Sequence, residues 1–261
     1  MTGLIWILLS SCKEEFVDPS LVTTLSVAAS AYDATYEIKI GRPANDLASQ
    51  GKYAAIYVLD GDENFNLVAS HCRKVAASYG VDNVLVVSIG YGRDRNMDYT
   101  PTITNDMSGT GGAPPFLKFI KDDLIPKIEQ EFNADTVRSS RVILGHSFGG
   151  LFGAYAFGAD NKLFGNYILL SPSLWYDNEI TMRIESMQRN ANKNKQQLVF
   201  MGIGELENAG RMQAPFDGFY KSLKEDYLNM KIGMNREKDL DHKGSENPNI
   251  LKGLDFYFQN R

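Results

Sequence analysis

The sequence predicts an α/β fold with a mostly parallel central sheet and helices on both faces. Two patterns carry that expectation. Short continuous apolar runs recur at residues 54–59, 84–89, 142–144, 167–170 and 198–201. A strand apolar at every position is one covered on both faces. Stretches with helical spacing alternate with these runs, as βαβ units require. At 261 residues the chain is long enough for one such domain with a sizeable core.

The chain opens on Leu4-Ile5-Trp6-Ile7-Leu8-Leu9, an apolar run too short to span a bilayer. Small residues follow it, as at the end of a secretory signal. Leu9-Ser10-Ser11-Cys12 resembles the bacterial lipobox, whose Cys is lipidated and becomes the mature N-terminus. Lys13-Glu14-Glu15 is similar to the sorting tract of surface lipoproteins. Residues 1–12 are therefore expected to be a lipoprotein-type signal ending at Cys12. Residues 13–33 are expected to be a tether and N-terminal edge, and residues 34–261 a single domain. The expected location is the bacterial cell envelope, with Cys12 the lipid attachment site in the outer membrane. No Lys or Arg precedes the apolar run, which fits a start placed too late. A frayed apolar tail with a chance Cys is the alternative.

Thr35-Tyr36-Glu37-Ile38-Lys39-Ile40 alternates with period two, like a half-buried edge strand, and Gly41-Arg42-Pro43 ends it. The connection over residues 90–113 is long, rich in Gly, Thr, Asn and Asp, and shows no clear element. Loops of that length in a compact domain are usually functional or disordered. Phe116, Phe119, Ile120, Leu124 and Ile128 recur at helical spacing after Pro114-Pro115, with Pro126 placed to kink the helix. Further helical patterns cover residues 151–157, 216–228 and 250–258, and a weak strand covers 230–234. Between Trp175 and Leu198 there is room for one helix, so no large lid domain is expected and the site should be open.

Composition narrows the function classes. The net charge is −5 with no run of Lys or Arg, so nucleic acid has no electrostatic footprint to bind. Two cysteines, Cys12 and Cys72, imply no disulfide framework. No Cys/His cluster has metal-ligand spacing and no GxxxxGK[ST] loop occurs, so neither a metal nor another cofactor is expected.

Gly145-His146-Ser147-Phe148-Gly149-Gly150 matches G-x-S-x-G, with an apolar strand running into it and an apolar helix following. That context makes it a nucleophile elbow, in which a tight turn points the Ser147 hydroxyl out of the sheet. The fold expectation sharpens to the α/β-hydrolase fold. A serine hydroxyl needs a base, and histidine suits neutral pH. The chain has three histidines. His71 precedes the serine in a helical stretch. His146 occupies the variable elbow position, facing away from the hydroxyl. His242 lies in a polar loop between the last strand and the last helix, where this architecture places its base. The oxyanion needs two N–H donors. The amide of Phe148 is one. The amide of Asp62, in the turn after the strand ending Leu59-Asp60-Gly61, is the other, with a plain β-turn the alternative reading there.

Several segments together resemble the Putative esterase family of the α/β-hydrolase superfamily. They are Tyr57-Val58-Leu59-Asp60-Gly61, the Ser147 elbow, Ser171-Pro172-Ser173-Leu174-Trp175, Gly204-Glu205-Leu206-Glu207 and Asp241-His242-Lys243-Gly244-Ser245. Arg95-Asn96-Met97-Asp98-Tyr99-Thr100-Pro101 is similar to the family's loop after its fourth strand. That group includes enterobactin-type trilactone esterases, feruloyl and acetyl-xylan esterases, and mycolyltransferases. The resemblance runs from about residue 36 to 258 and implies fold and reaction type, not substrate. It places the acid three residues beyond Gly204, at Glu207. Glu205 and Asp177 are the alternatives, and some siderophore-esterase relatives use a serine–histidine dyad.

The expected function is a serine carboxylesterase working through an acyl-Ser147 intermediate. Candidate substrates are a small-molecule siderophore trilactone or an acylated carbohydrate. Acyl transfer by the same residues, or a ligand-binding lipoprotein without activity, are the alternatives. Residues 90–113 should border the site, with Arg95 and Tyr91 (and Arg93 and Tyr99 nearby) as substrate-binding candidates. Solvated or structural ion pairs are the competing role for the arginines. Trp175 is a second candidate wall, with core packing its rival.

Overall fold

The computed structural model describes residues 17–43, 51–80 and 83–261. The signal and lipid-attachment expectations, Cys12 included, lie outside the described residues. An eight-stranded sheet runs through the molecule in the order β1-β2-β4-β3-β5-β6-β7-β8. The strands are β1 Val22–Ala28, β2 Thr35–Gly41, β3 Ala54–Val58, β4 Val84–Ile89, β5 Arg141–His146, β6 Asn166–Leu170, β7 Gln197–Gly204 and β8 Met230–Glu237. The β1–β2 and β2–β4 pairs are antiparallel and every other pair is parallel. This is the α/β-hydrolase fold expected from the sequence.

The continuous apolar runs follow from burial on two faces. In β3, Ala55 and Tyr57 join one core while Ala54, Ile56 and Val58 join the other. The same alternation divides Ile143 from Val142 and Leu144 in β5, and Tyr167 and Leu169 from Ile168 and Leu170 in β6. One face is covered by α1 Gly61–Tyr79 and α8 Glu246–Asn260, through residues such as Phe65, Val68, Ile250 and Leu254. The opposite face carries α3 Ala113–Phe119, α4 Ile125–Glu131, α5 Phe148–Ala159 and α7 Ala214–Asp226. Between α3 and α4 the helix widens over Ile120–Leu124, just before Pro126. Proline lacks an N–H and its ring crowds the preceding turn, so the backbone opens there. Among the described residues no helix is long and apolar enough to cross a membrane.

Two expectations change. The stretch expected to be a tether and N-terminal edge holds a full strand: β1 pairs with β2 along its whole length, Val22 against Gly41 through Ala28 against Thr35, so β1 is the edge and β2, expected there, lies inside the sheet. The inward face of β1 is largely only half buried, which left a weak apolar signal. The connection over residues 90–113 holds one short helix, α2 Arg95–Tyr99, capped by the Asp94 side chain on the amide of Asn96. Between β6 and β7 the chain forms a turn and the helical stretch α6 Tyr176–Asn192, whose first turn is broken by left-handed residues at 177–179, so among the described residues no lid domain stands over the strand ends.

Candidate active site

The site forms at the C-terminal ends of β5, β7 and β8, where parallel sheets of this kind place their chemistry. Ser147 follows β5 directly and has φ 59°, ψ −117°, a conformation that L residues rarely adopt. The surrounding structure holds it there. Its amide donates to the Leu170 carbonyl at 2.9 Å, and its own carbonyl accepts from Leu151 and Ser173 at 2.9 and 3.1 Å. Glycine is required at 145, because a Cβ there would lie 2.4 Å from the Gly149 carbonyl carbon. The tight crossing of strand and helix sets the half-buried serine at the strand end.

Three side chains from separate loops form one hydrogen-bonded line. His242 Nε2 lies 3.0 Å from Ser147 Oγ, and His242 Nδ1 lies 2.8 Å from Glu207 Oε2. With Nδ1–H donating to the carboxylate, Nε2 is left to accept the serine proton. His242 comes from the turn between β8 and α8, and Glu207 from the turn after β7. The Glu207 side chain is fully buried, whereas that of His242 is 41% exposed. Burial alone would raise the Glu207 pKa. Hydrogen bonds from His242, from the Ser171 hydroxyl at 2.6 Å and from the Gly204 amide at 2.8 Å outweigh it, so the carboxyl sits below the ordinary glutamate value. Ser245 Oγ, 3.4 Å from Oε1, adds a weaker contact.

The rival acids are engaged elsewhere. Glu205 Oε2 accepts the Asp239 amide at 3.0 Å, and Asp177 Oδ2 accepts the Thr102 hydroxyl at 2.6 Å. His71 pairs with Asp255 at 2.8 Å on the α1–α8 face. His146 is engaged with the loop that carries His242. Its Nε2–H donates to the His242 carbonyl at 3.0 Å, its ring centroid is 4.6 Å from that of His242, and its Nδ1 is 3.6 Å from Glu246 Oε1. Burial draws the His146 pKa below the ordinary value, against the pull of the Glu246 carboxylate.

The oxyanion candidates sit in the first turns of two helices, Phe148 opening α5 and Asp62 second in α1. First-turn amides have no intrahelical acceptor. The turn carrying Asp62 lies against the elbow, since a Cβ on Gly149 would meet Asp60 Oδ2 at 3.1 Å and Leu59 Cβ at 3.4 Å. The Asp62 side chain itself is directed to Lys39, at 2.9 Å.

Residues 90–113 do border the site, through Arg95 and Tyr91. Arg95 makes a two-pronged contact with Asp60, Nε to Oδ1 at 2.6 Å and Nη2 to Oδ2 at 2.8 Å, and Nη2 also donates to the His146 carbonyl at 3.1 Å. Tyr91 Oη donates to Asp60 Oδ1 at 2.8 Å, and the Asp60 amide donates to Tyr99 Oη at 3.0 Å. Arg93 is bound to Asp98. Arg95 and Tyr91 thus brace the elbow through a buried carboxylate, and for Arg95 this is the ion-pair role that competed with substrate binding in the sequence. Trp175 is half buried, with its ring centroid 6.1 Å from that of Phe148.

The sequence reading gave no role to Ser171, Ser245, His146 or Asp60. A signal existed for Ser171 and Asp60, since each directly follows or nearly follows an apolar strand at the sheet end that carries Ser147. Nothing local marked Ser245 or the Gly204 amide.

The family model described as Putative esterase matches residues 30–238. The chain is 31% identical over 194 residues to the ferri-bacillibactin esterase of Bacillus subtilis (strain 168), covering 66% of each chain. It is 33% identical over 138 residues to the siderophore triacetylfusarinine C esterase of Aspergillus fumigatus, covering 49% of this chain and 47% of that one. The matched regions therefore span about two thirds and about half of these relatives' lengths. Among solved structures, the BES protein from Bacillus cereus superposes with a TM-score of 0.81 at 25% identity, covering 95% of this chain and 98% of that one.

Proposed function

Because the chain belongs to the Putative esterase family, we propose that it hydrolyses carboxylic esters with Ser147 as nucleophile and a siderophore ester as substrate. The observation that carries the reading is the line from Ser147 Oγ through His242 to the buried Glu207 carboxylate. Ser147 Oγ attacks the ester carbonyl carbon while His242 Nε2 takes its proton. Glu207 holds the imidazole in the tautomer with Nδ1 protonated and offsets the imidazolium charge that forms. The amides of Phe148 and Asp62 donate to the oxyanion. The carbonyl re-forms, the ester C–O bond breaks, and His242 returns the proton to the departing alcohol. Water then repeats the sequence on the acyl-enzyme, with His242 as base, and releases the acid and the free serine.

The names of the two curated relatives support a siderophore as the ester. An acylated carbohydrate is the competing substrate class. A panel of ferric and metal-free siderophore trilactones, feruloyl esters, acetylated xylan and short 4-nitrophenyl esters tests the choice. The highest kcat/KM should fall on a siderophore ester, and a higher value on acetylated xylan would overturn the substrate assignment. The proposal also places the protein in the cell envelope on a lipid at Cys12, supported by Leu9-Ser10-Ser11-Cys12.

A further inference from the structure

Beside the elbow opens a cleft of about 590 Å³, lined by Trp175, Tyr176, Asp177, Arg211 and residues 103–107. It adjoins Ser147 through short links. The Ser173 amide donates to the Ser147 carbonyl at 3.1 Å, and the Phe148 ring lies 6.1 Å from Trp175 and 6.0 Å from Tyr176.

Arg211 differs from the other arginines. Among the described residues each of the others donates a side-chain hydrogen bond to a carboxylate, amide or carbonyl oxygen. The Arg211 guanidinium has none. Its Cζ lies over the Trp175 indole, 3.6 Å from the ring centroid, and the residue is exposed. Stacking fixes the plane of a guanidinium while leaving its N–H edge open for an oxyanion. The carboxylates in the cleft do not fill that edge: Asp177 accepts the Thr102 hydroxyl, and neither Asp177 nor Asp106 pairs with Arg211 among the described residues.

The cleft is braced. Asp177, Asn178 and Glu179 have φ of 43°, 51° and 61°, three consecutive residues in the left-handed region. Arg183 holds the carbonyls of Asp177 and Asn178, at 3.3 and 2.7 Å, and Tyr176 Oη donates across the cleft to the Thr102 carbonyl at 2.6 Å. Backbone held in this region is characteristic of ligand clamps. A preformed wall with an aromatic face and an open cation selects for a planar substrate arm bearing a negative oxygen.

The structure assigns to Arg211, stacked on Trp175, the binding of an anionic oxygen on an aryl arm of the ester substrate. This rests on the esterase reading above and adds to it the group that the cleft selects. The test compares the 4-nitrophenyl esters of cinnamic acid and of 4-carboxycinnamic acid, with wild type, Arg211→Gln, Arg211→Lys and Arg211→Glu. The readout is the ratio of kcat/KM for the charged ester to that for the neutral one, which cancels any general loss of active enzyme. Arg211→Gln should lower that ratio about tenfold, through KM, as expected for loss of one charge-assisted hydrogen bond. Arg211→Glu should lower it further, and Arg211→Lys should restore part of it. The wild-type ratio should also fall as salt is raised, and the Arg211→Gln ratio should not. An unchanged ratio in Arg211→Gln, or equal ratios in the Lys and Glu variants, would overturn the assignment alone. No hydrolysis of these or any other ester by wild type, with no fluorophosphonate label on Ser147, would overturn the esterase reading, and the assignment with it.

Discussion

The carbonyl oxygen of His242 lies 3.0 Å from Nε2 of His146, so the residue before the nucleophile holds the loop that carries the base. The two imidazoles also touch in a tilted pair, with centroids 4.6 Å apart and planes at 38°. A displaced base loses alignment with the serine, and errors near 1 Å cost up to about 10²-fold in rate. His146→Leu should therefore lower kcat by roughly 10- to 100-fold with little change in KM. His146→Gln, whose amide can still donate to the carbonyl, should recover much of that loss. If both variants behave alike, the carbonyl contact does not position His242.

Glu207→Gln should keep the shape of the site but lower kcat by roughly 10³- to 10⁴-fold, because an amide cannot offset the imidazolium charge. The same variant should change the acid stability of the protein. The Glu207 pKa is depressed in the folded state, opposed by burial and carried by hydrogen bonds from His242, Ser171 and Gly204. Between the lower folded value and the unfolded value of about 4.3, the unfolded chain binds the extra proton. The contribution is complete above about pH 4.3 and is lost as pH falls through the folded pKa. Thermal melting from pH 6 to pH 3 should show a smaller acid loss in Glu207→Gln than in wild type. Equal slopes would mean that the carboxylate is not held ionised by these contacts.

Arg95→Met should act on stability before it acts on substrate. Asp60 is 3% exposed and would lose both contacts from the guanidinium. Breaking a buried ion pair costs roughly 3–5 kcal/mol. Arg95 is 30% exposed and Tyr91 still donates to Asp60, so the cost belongs at or below the low end of that range. Melting temperature should fall clearly, with kcat reduced by loosening of the elbow. A raised KM with an unchanged melting temperature would instead make Arg95 a substrate ligand.

Cys12→Ser should release the protein from the membrane fraction of cells expressing the full chain, while wild type stays with the membrane and partitions into detergent. The expectation comes from the sequence Leu9-Ser10-Ser11-Cys12. Identical partitioning of the two proteins would remove the lipid anchor.

Ser147 and His242 were legible in the sequence because a turn motif sat between an apolar strand and helix, and because only three histidines had to be sorted. The parallel sheet was legible because strands buried on both faces have no polar positions to hide the pattern. Glu207 was harder. Two glutamates stand in one turn, and only a family resemblance separated the one on His242 from Glu205, which binds the Asp239 amide. The groups that hold Glu207 were out of reach, since the Ser171 hydroxyl and the Gly204 amide meet it only once β6 and β7 pair. Strand β1 was hard to see because its apolar residues, Val22, Leu25, Val27 and Ala28, do not alternate with period two. Arg95 and Arg211 look alike in a sequence, yet one is locked to a buried carboxylate and the other stacks on Trp175 with its donors open.

The central claim is that Ser147 carries the acyl group. Intact-protein mass spectrometry after treatment with a fluorophosphonate, followed by peptide mapping, tests it most directly. One adduct per chain should form on the peptide containing Gly145-His146-Ser147-Phe148-Gly149, in step with loss of ester hydrolysis. Ser147→Ala should take up no label and lose activity by about 10⁴-fold or more. Full ester hydrolysis by a chain left unlabelled at Ser147, or near-wild-type turnover by Ser147→Ala, would contradict the account.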